Sequence, residues 1–248
     1  MKKLKVVIVG EACVDRFIYC KINRLSPEAP VPVLIPVTTE LNQGMSGNTC
    51  ANIKALVPNS QVIHFSNLKQ VTKTRYVEKK TNHMFLRVDE GDDNIESFKW
   101  SDDYKHFIEE ADIVIVSDYD KGYLTDEDLI KIATYSKLSI LDSKRELTNS
   151  ISNSFDFVKL NEEEWASNNV LNPKNIIVTL GSKGSMYMGE IFPSDDPQET
   201  IDVSGAGDTF TAAFAVSYAT APSVPNAIRY ANKTASKVVS KRGVKTPA

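Results

Sequence analysis

Short runs rich in Val and Ile recur along the chain between longer stretches of helical periodicity, the alternation that a parallel sheet covered by helices produces. Residues 5–9, 62–65, 113–116, 139–141, 157–160 and 176–179 read as buried strands. Helices are predicted over 48–56, 102–110, 125–135, 208–218 and 225–240. Thr125 precedes Asp126, Glu127 and Asp128, so a capping hydroxyl and three acids fall on one first turn, where they offset the helix dipole. Two regions break this rhythm. The first, 16–37, contains RLSPEAPVPVLIPV, and prolines at 27, 30, 32 and 36 suit extended edge strands or a turn but no helix or central strand. The second, 72–89, alternates as two strands joined near 80–82. Together they predict a small sheet beside the main one, placed as a lid. The acidic run 89–103 reads as a solvated loop.

Composition narrows the class. The chain has 248 residues, 42% of them apolar and 25% charged, with a formal net charge of −3. That is enough chain for one large core in a single domain. Interspersed charges leave no broad basic face, which excludes nucleic acid as an expected partner. The longest apolar runs fall far below the roughly 18 residues of a spanning helix, and the amino-terminal apolar stretch stops at Gly10, too short for a secretory signal. No membrane is expected, and the expected location is the cytoplasm. Cys13, Cys20 and Cys50 are odd in number and form no CxxC pair, as suits a reducing compartment without a structural zinc. His64, His83 and His106 are scattered without a second ligand at helical spacing.

The chemistry concentrates near the carboxyl end. Neither GxxxxGK followed by Ser or Thr nor GxGxxG occurs. DVSGAGDTFTAAFA, residues 202–215, places Gly205, Ala206 and Gly207 before a helix with Asp208 on its first turn. Glycines bring several N–H groups to one point, a site suited to a phosphate in transfer. An aspartate beside that point can accept the proton of an attacking hydroxyl. A glycine-rich turn before an acidic helix start satisfies the same residues.

DVSGAGDTFTAAF resembles the carboxyl-terminal signature of the ribokinase-like (PfkB) carbohydrate kinases. The likeness extends through VVIVGEACVDRF, RLSPEAPVPVL, GMSGNTCANIKAL, TKTRY, LRVDEGD, SDYDKGYLT, LDSKR, NEEEW, VTLGSKG and ANKTASKVVSKRG, in the family's order. Within the family it is most similar to the heptose-phosphate kinase branch, the kinase half of bifunctional heptose enzymes. The resemblance implies a three-layer α/β/α sandwich with a mostly parallel sheet and a small β lid, residues 16–38 and 72–89. It further implies an ATP- and magnesium-dependent kinase acting on a sugar or sugar phosphate, most simply the anomeric hydroxyl of a heptose 7-phosphate.

Carried over residue by residue, the resemblance makes Asp208 the catalytic base, with the amides of Gly205, Ala206 and Gly207 as an anion hole. Asp15, Gly44 and Asn48 would bind sugar hydroxyls, and Lys73, Arg75, Lys121 and Lys144 are candidate anchors for a substrate phosphate. Asn161 and Glu164 match an Asn-x-x-Glu motif linked to magnesium, commonly through water. The same two residues also suit a plain helix cap. Thr179, Gly181 and Gly184 would line the nucleotide site, and Asn232 would lie near the adenosine. Met45 stands where the motif has its second glycine, so a reshaped sugar pocket is expected. The connections 62–72 and 165–174 are shorter than the family's, which implies a trimmed fold, a more open pocket or completion by a homodimer through the lid. No HxGH-type motif occurs, so no nucleotidyltransferase half is expected in these residues. A kinase for a free sugar or nucleoside, and a non-catalytic sugar- or nucleotide-binding protein, remain the alternatives.

Overall fold

Four consecutive residues, Val6, Val7, Ile8 and Val9, are each almost wholly buried, alternating between two hydrophobic clusters on opposite sides of one strand. Residues buried on both faces mark the interior of a parallel sheet with helices on each side. A computed structural model describes residues 3–168, 173–194, 205–239 and 246–247 of the chain. Its strands are β1 (Lys5–Gly10), β2 (Ala12–Leu25), β3 (Pro32–Met45), β4 (Gln61–Phe65), β5 (Val71–Glu78) and β6 (Met84–Glu90). They continue with β7 (Ile113–Asp118), β8 (Ser139–Ser143), β9 (Phe157–Asn161), β10 (Ile176–Thr179), β11 (Ser185–Tyr187) and β12 (Glu190–Phe192). The helices are α1 (Ser46–Leu56), α2 (Asp102–Glu110), α3 (Asp126–Tyr135), α4 (Asn149–Ser154), α5 (Glu162–Ser167), α6 (Ala206–Thr220) and α7 (Val224–Val239).

Eight strands form the main sheet in the order β12-β11-β10-β9-β8-β7-β1-β4. The six from β10 to β4 are parallel, and β11 and β12 add an antiparallel hairpin at one edge. Val7, Val9, Val114 and Val116 pack with Ile108, Leu129, Ile132 and Ile151 from α2, α3 and α4. Val6, Ile8, Ile113 and Ile115 pack with Ile53, Phe210, Phe214 and Ile228 from α1, α6 and α7. Each such side chain contributes about 1.5–3 kcal/mol of transfer free energy, which makes these two layers the dominant stabilising element. The architecture is the expected α/β/α sandwich. Helix α6 is buried continuously from Asp208 to Val216, and its small Ala212, Ala213 and Ala215 let it lie close to its neighbours.

The chain leaves β1 toward β4 on one side and returns to β7 on the other, so the connections diverge between β1 and β7. In open α/β sheets, ligands bind outside the carboxyl ends of the strands at such a point. Gly10, Asp118, Ser143 and Asn161 close strands at this end of the sheet.

The second sheet has the order β3-β2-β5-β6. Prolines 32 and 36 lie on β3, an edge strand, and prolines 27 and 30 in the turn that leads to it, where their missing N–H groups cost no ladder bond. The sheet begins at Ala12, earlier than the expected residue 16, because β1 passes almost directly into β2. The chain also passes directly from β4 to β5, as the short 62–72 connection predicts. Residues 169–172 of the other short connection lie outside the described residues. The acidic run 89–103 is only partly solvated: Phe98 is buried, its N–H donates to the Tyr123 carbonyl at 2.7 Å, and its ring packs on Tyr104 and Tyr123. Two aromatics inside that run override its charge. Among the described residues no helix is long and apolar enough to cross a membrane.

Candidate active site

Gly205 caps α6 with φ 80°, in the left-handed region that glycine adopts without a Cβ penalty. This turn starts a 15-residue helix whose first amides have no partner within the helix and gather the positive end of its dipole. Asp208 sits on that first turn and is 6% exposed. Its Oδ2 accepts from Asn48 Nδ2 at 2.8 Å and its Oδ1 accepts from the Tyr119 hydroxyl at 3.1 Å. Asn52 Nδ2 donates in turn to Asn48 Oδ1 at 3.1 Å, and Thr209 Oγ1 donates to Asn52 Oδ1 at 2.9 Å. This chain fixes which atom of Asn48 faces the carboxylate. Burial pushes the Asp208 carboxyl up to about 6, with nearby Asp142 adding to the rise and Asn48, Lys159 and Tyr119 restraining it. That value lies where a general base works near neutral pH.

A cleft of about 660 Å³ opens over this carboxylate. Of the residues predicted from sequence, it is lined by Asp208, Gly205, Gly207, Lys144, Asn161, Thr179 and Gly181. It is also lined by Tyr119, Asp142 and Lys159, which the sequence reading passed over. Lys159 Nζ donates to both oxygens of Asp142, at 3.1 and 3.3 Å, and Thr211 Oγ1 donates to Asp142 Oδ2 at 2.8 Å. Burial opposes the Lys159 charge, but Asp142, Glu164 and Asp208 outweigh it and hold the ammonium above its ordinary pKa. A Cβ on Gly207 would stand 3.0 Å from Lys159 Nζ, so the ammonium lies against the glycine turn. A signal for both residues was present in FVKLN and ILDSK, where a charge interrupts an apolar strand near its carboxyl end.

Of the residues predicted to meet a sugar or its phosphate, Asp15, Gly44, Lys73 and Arg75 lie on the second sheet and Asn48 on α1. Asp15 pairs with Arg75, whose guanidinium also lies over the Phe17 ring at 5.1 Å. Gly44 faces Cys13 across the β2–β3 ladder, and a Cβ there would lie 2.5 Å from Cys13 Sγ and closer still to Asp15 Oδ2. Only glycine leaves room for that carboxylate. Lys73 is buried, with Nζ 5.9 Å from the Tyr119 ring centre, and Lys144 Nζ stands at the same distance from that ring. Met45 holds φ 56° and ψ −136° at the start of α1, a conformation natural to glycine. Its side chain is buried with Cys13 and Val71 and packs on Tyr119 and Ile95.

Other predicted residues have different surroundings. Asn161 and Glu164 form a reciprocal capping box at the start of α5, and Glu164 also pairs with Lys144. Lys121 reaches Asp92 at 3.2 Å, away from the cleft lining. Gly184 bonds into the turn before β11, and Ala206 opens α6. Both amide ends of Asn232 are engaged, accepting from Ser185 Oγ at 3.1 Å and donating to the Phe192 carbonyl at 2.9 Å, which fastens α7 to the edge hairpin. Asp202, Val203 and Ser204 of the signature lie outside the described residues. Glu11, also missed, is wholly buried between β1 and β2 and accepts from the backbone N–H groups of Tyr119, Lys121 and Tyr123 at 2.9, 3.0 and 3.3 Å, pinning the loop that carries Tyr119.

Residues 37–248 match the profile described as pfkB family carbohydrate kinase. The chain belongs to the pfkB family of carbohydrate kinases. It is 28% identical over 293 residues to the bifunctional protein HldE of a Nitratiruptor species, an alignment covering 98% of this chain and 63% of that protein. Bifunctional protein HldE of Photorhabdus laumondii is 26% identical over 291 residues, covering 98% and 61%. The chain therefore spans less than two thirds of these relatives' length. Among solved structures, Arabidopsis thaliana ribokinase complexed with ribose and ATP aligns with a TM-score of 0.73 at 21% identity, covering 98% of this chain and 94% of that one. The nucleoside kinase of Methanocaldococcus jannaschii, described as an archaeal member of the ribokinase family, aligns with a TM-score of 0.69 at 19% identity, covering 99% and 95%. At these identities the likeness shows the fold, which is ribokinase-like.

Proposed function

We propose that this pfkB-family chain is a single cytoplasmic kinase domain that transfers the γ-phosphoryl group of ATP to a sugar phosphate, at the anomeric hydroxyl of a heptose 7-phosphate. The observation that carries it is Asp208, a buried carboxylate with a raised pKa at the start of α6, beside the Gly205–Gly207 turn and under the cleft. The HldE relatives and the RLSPEAPVPVL and SDYDKGYLT segments support the heptose phosphate over a free sugar.

In this mechanism Asp208 takes the proton of the acceptor hydroxyl while the amides of Gly205, Ala206 and Gly207 bind charge on the phosphoryl group. Asn48 and Tyr119 fix the carboxylate, and Asp15, Gly44 and Asn48 meet the sugar hydroxyls. Lys73 and Arg75 lie on the same side and would meet the substrate phosphate. Thr179, Gly181, Gly184 and Asn232 are assigned to the nucleotide side. Asn161 and Glu164, with Glu162 and Glu163 lining the cleft, would offer oxygen ligands of the kind a hard cation takes, in exchange for the capping bonds and the Lys144 pair that now engage them. Among the described residues no three His, Cys, Asp or Glu converge as a metal cage, and these side chains would hold a magnesium ion through water. Magnesium, when bound, neutralises charge on the phosphates. The second sheet would act as the lid that excludes water. Ile35, Leu41, Met84, Phe85 and Leu86 are exposed on its edge strands, which supports pairing of two copies through this sheet; a concentration-independent monomer in sedimentation velocity would remove that pairing.

The test is ADP release with magnesium and ATP against heptoses, hexoses, pentoses and their phosphates. Release that requires a heptose 7-phosphate is the expected result. Release with a free sugar or nucleoside moves the substrate. No release with any acceptor, despite a nucleotide-induced rise in melting temperature, identifies a non-catalytic binder.

A further inference from the structure

Tyr119 combines three features that bear on Asp208 and the cleft. Its hydroxyl donates to Asp208 Oδ1 at 3.1 Å, the oxygen that Asn48 leaves free. Its backbone is held by Glu11, a wholly buried carboxylate that also binds the N–H groups of Lys121 and Tyr123. Its ring lies 5.9 Å from each of two ammonium groups, Lys73 on β5 and Lys144 just after β8. A side chain that only filled space would need neither the pinned backbone nor an aimed hydroxyl.

We propose that Tyr119 is a positioning residue for phosphoryl transfer: its phenol donates to Oδ1 of Asp208, so that the carboxylate stays ionised and free to take the proton of the acceptor hydroxyl. The inference rests on the kinase reading above. The phenol keeps its proton throughout; the acceptor's proton goes to Asp208, and the acceptor oxygen forms the new bond to phosphorus as the bond to the ADP oxygen breaks. Every charged group packed around the pair bears on this balance. Asp208 is faced by Asp142 from β8, which disfavours its charge, and by Lys159 from β9, Asn48 from α1 and Tyr119, which favour it. Tyr119 is faced by Asp208, Asp142 and Cys13, and by the ammonium groups of Lys73 and Lys144. Burial and the Asp208 and Asp142 charges push the phenol well above its ordinary pKa, so it acts as a donor at any working pH.

Tyr119→Phe in the full chain keeps the ring and removes the hydroxyl. One hydrogen bond to a charged group corresponds to about a tenfold effect. The expected result is a kcat/KM for the sugar substrate about tenfold below wild type near pH 5.5, converging with wild type above about pH 8, because more of the carboxylate is protonated at the acid end. KM for ATP should be unchanged. The Asp208 carboxyl resonance, assigned by its loss in Asp208→Asn, should titrate at higher pH in Tyr119→Phe than in wild type. A Phe variant with the wild-type pH profile and midpoint overturns the proposal, as does an equal loss at every pH with an unmoved midpoint, the signature of packing alone. If the wild-type chain turns over no sugar, the kinase reading falls and the titration alone judges Tyr119: a raised midpoint sustains its hold on Asp208, and an unmoved one removes it.

Discussion

Asp208→Asn should stabilise the protein near neutral pH while abolishing turnover, because the site holds that carboxylate at an energetic cost. Its folded pKa of about 6 compares with an ordinary value of 3.8. At about 1.4 kcal/mol per pH unit, that gap corresponds to roughly 3 kcal/mol. The folded chain retains a proton between these two pH values that the unfolded chain has released, so stability falls as pH rises through this window and the full cost is present above about pH 6. Asparagine does not titrate and escapes the cost. It brings one of its own: Asn48 Nδ2 and the Tyr119 hydroxyl both donate to this side chain, and an amide offers only one accepting oxygen, a mismatch of about 1 kcal/mol. The net gain above pH 7 is about 2 kcal/mol, or roughly 4–8 °C in Tm for a chain of this size. Below about pH 4 the gain should disappear and the mismatch should leave the variant slightly weaker. Urea unfolding of both proteins at several pH values measures the difference directly. Loss of the base should lower kcat by about 10²–10⁴-fold with ATP binding retained. Parallel stability curves across this window would refute the raised pKa, and a variant retaining most of its kcat would refute the role of Asp208 as base.

Lys159→Met should cost about 3–5 kcal/mol in urea unfolding, because it leaves the buried Asp142 carboxylate without its counter-charge; a loss under about 1 kcal/mol would mean that Thr211 and the surrounding dipoles satisfy Asp142 without Lys159. At Met45 the backbone favours glycine, so Met45→Gly should be more stable than Met45→Ala by about 1 kcal/mol, although both lose buried packing. The reverse order in thermal melts would show that the backbone relaxes. Gly44→Ala should displace Asp15 from Arg75 and raise KM for the sugar by about tenfold or more with little change in KM for ATP. Equal changes in both constants would place Gly44 outside the acceptor pocket.

The order of elements was legible because parallel strands buried on both faces write themselves as Val- and Ile-rich runs, as at β1 and β7. The GAGD turn was legible because its chemistry is local: the capping glycine, the helix start and the carboxylate lie within four residues. The convergence of Asp142, Lys159 and Tyr119 was not, since they come from the ends of three different strands and meet only when β7, β8 and β9 are side by side. Glu11 was hidden for the same reason, its partners lying more than a hundred residues away. Lys121 and Asn232 show the converse. Each sits in a segment with a kinase-like motif, yet tertiary partners, Asp92 for the lysine and Ser185 with Phe192 for the amide, claim their polar atoms.

Charge placement in the cleft explains why the glycine turn matters to the proposed chemistry. Among the described residues that line the cleft, the cations are Lys144, paired with Glu164, and Lys159, paired with Asp142. Neither offers an unpaired positive charge to a triphosphate. In the proposed mechanism the attraction for its transferring end therefore falls on neutral donors, the amides at the start of α6, since such groups bind an anion without a full charge of their own. Asp208 stands on that same turn, so an anion drawn to the amides approaches the carboxylate and raises its affinity for a proton further. Proton uptake from the acceptor thus becomes more favourable once the phosphates are in place. If this holds, the acid limb of kcat, which reports the complex, should lie at higher pH than the acid limb of kcat/KM for the sugar at low ATP, which reports the free protein. Coincident limbs would show that the phosphates bind too far from Asp208 to act on it, and the anion hole would have to be sought elsewhere in the cleft.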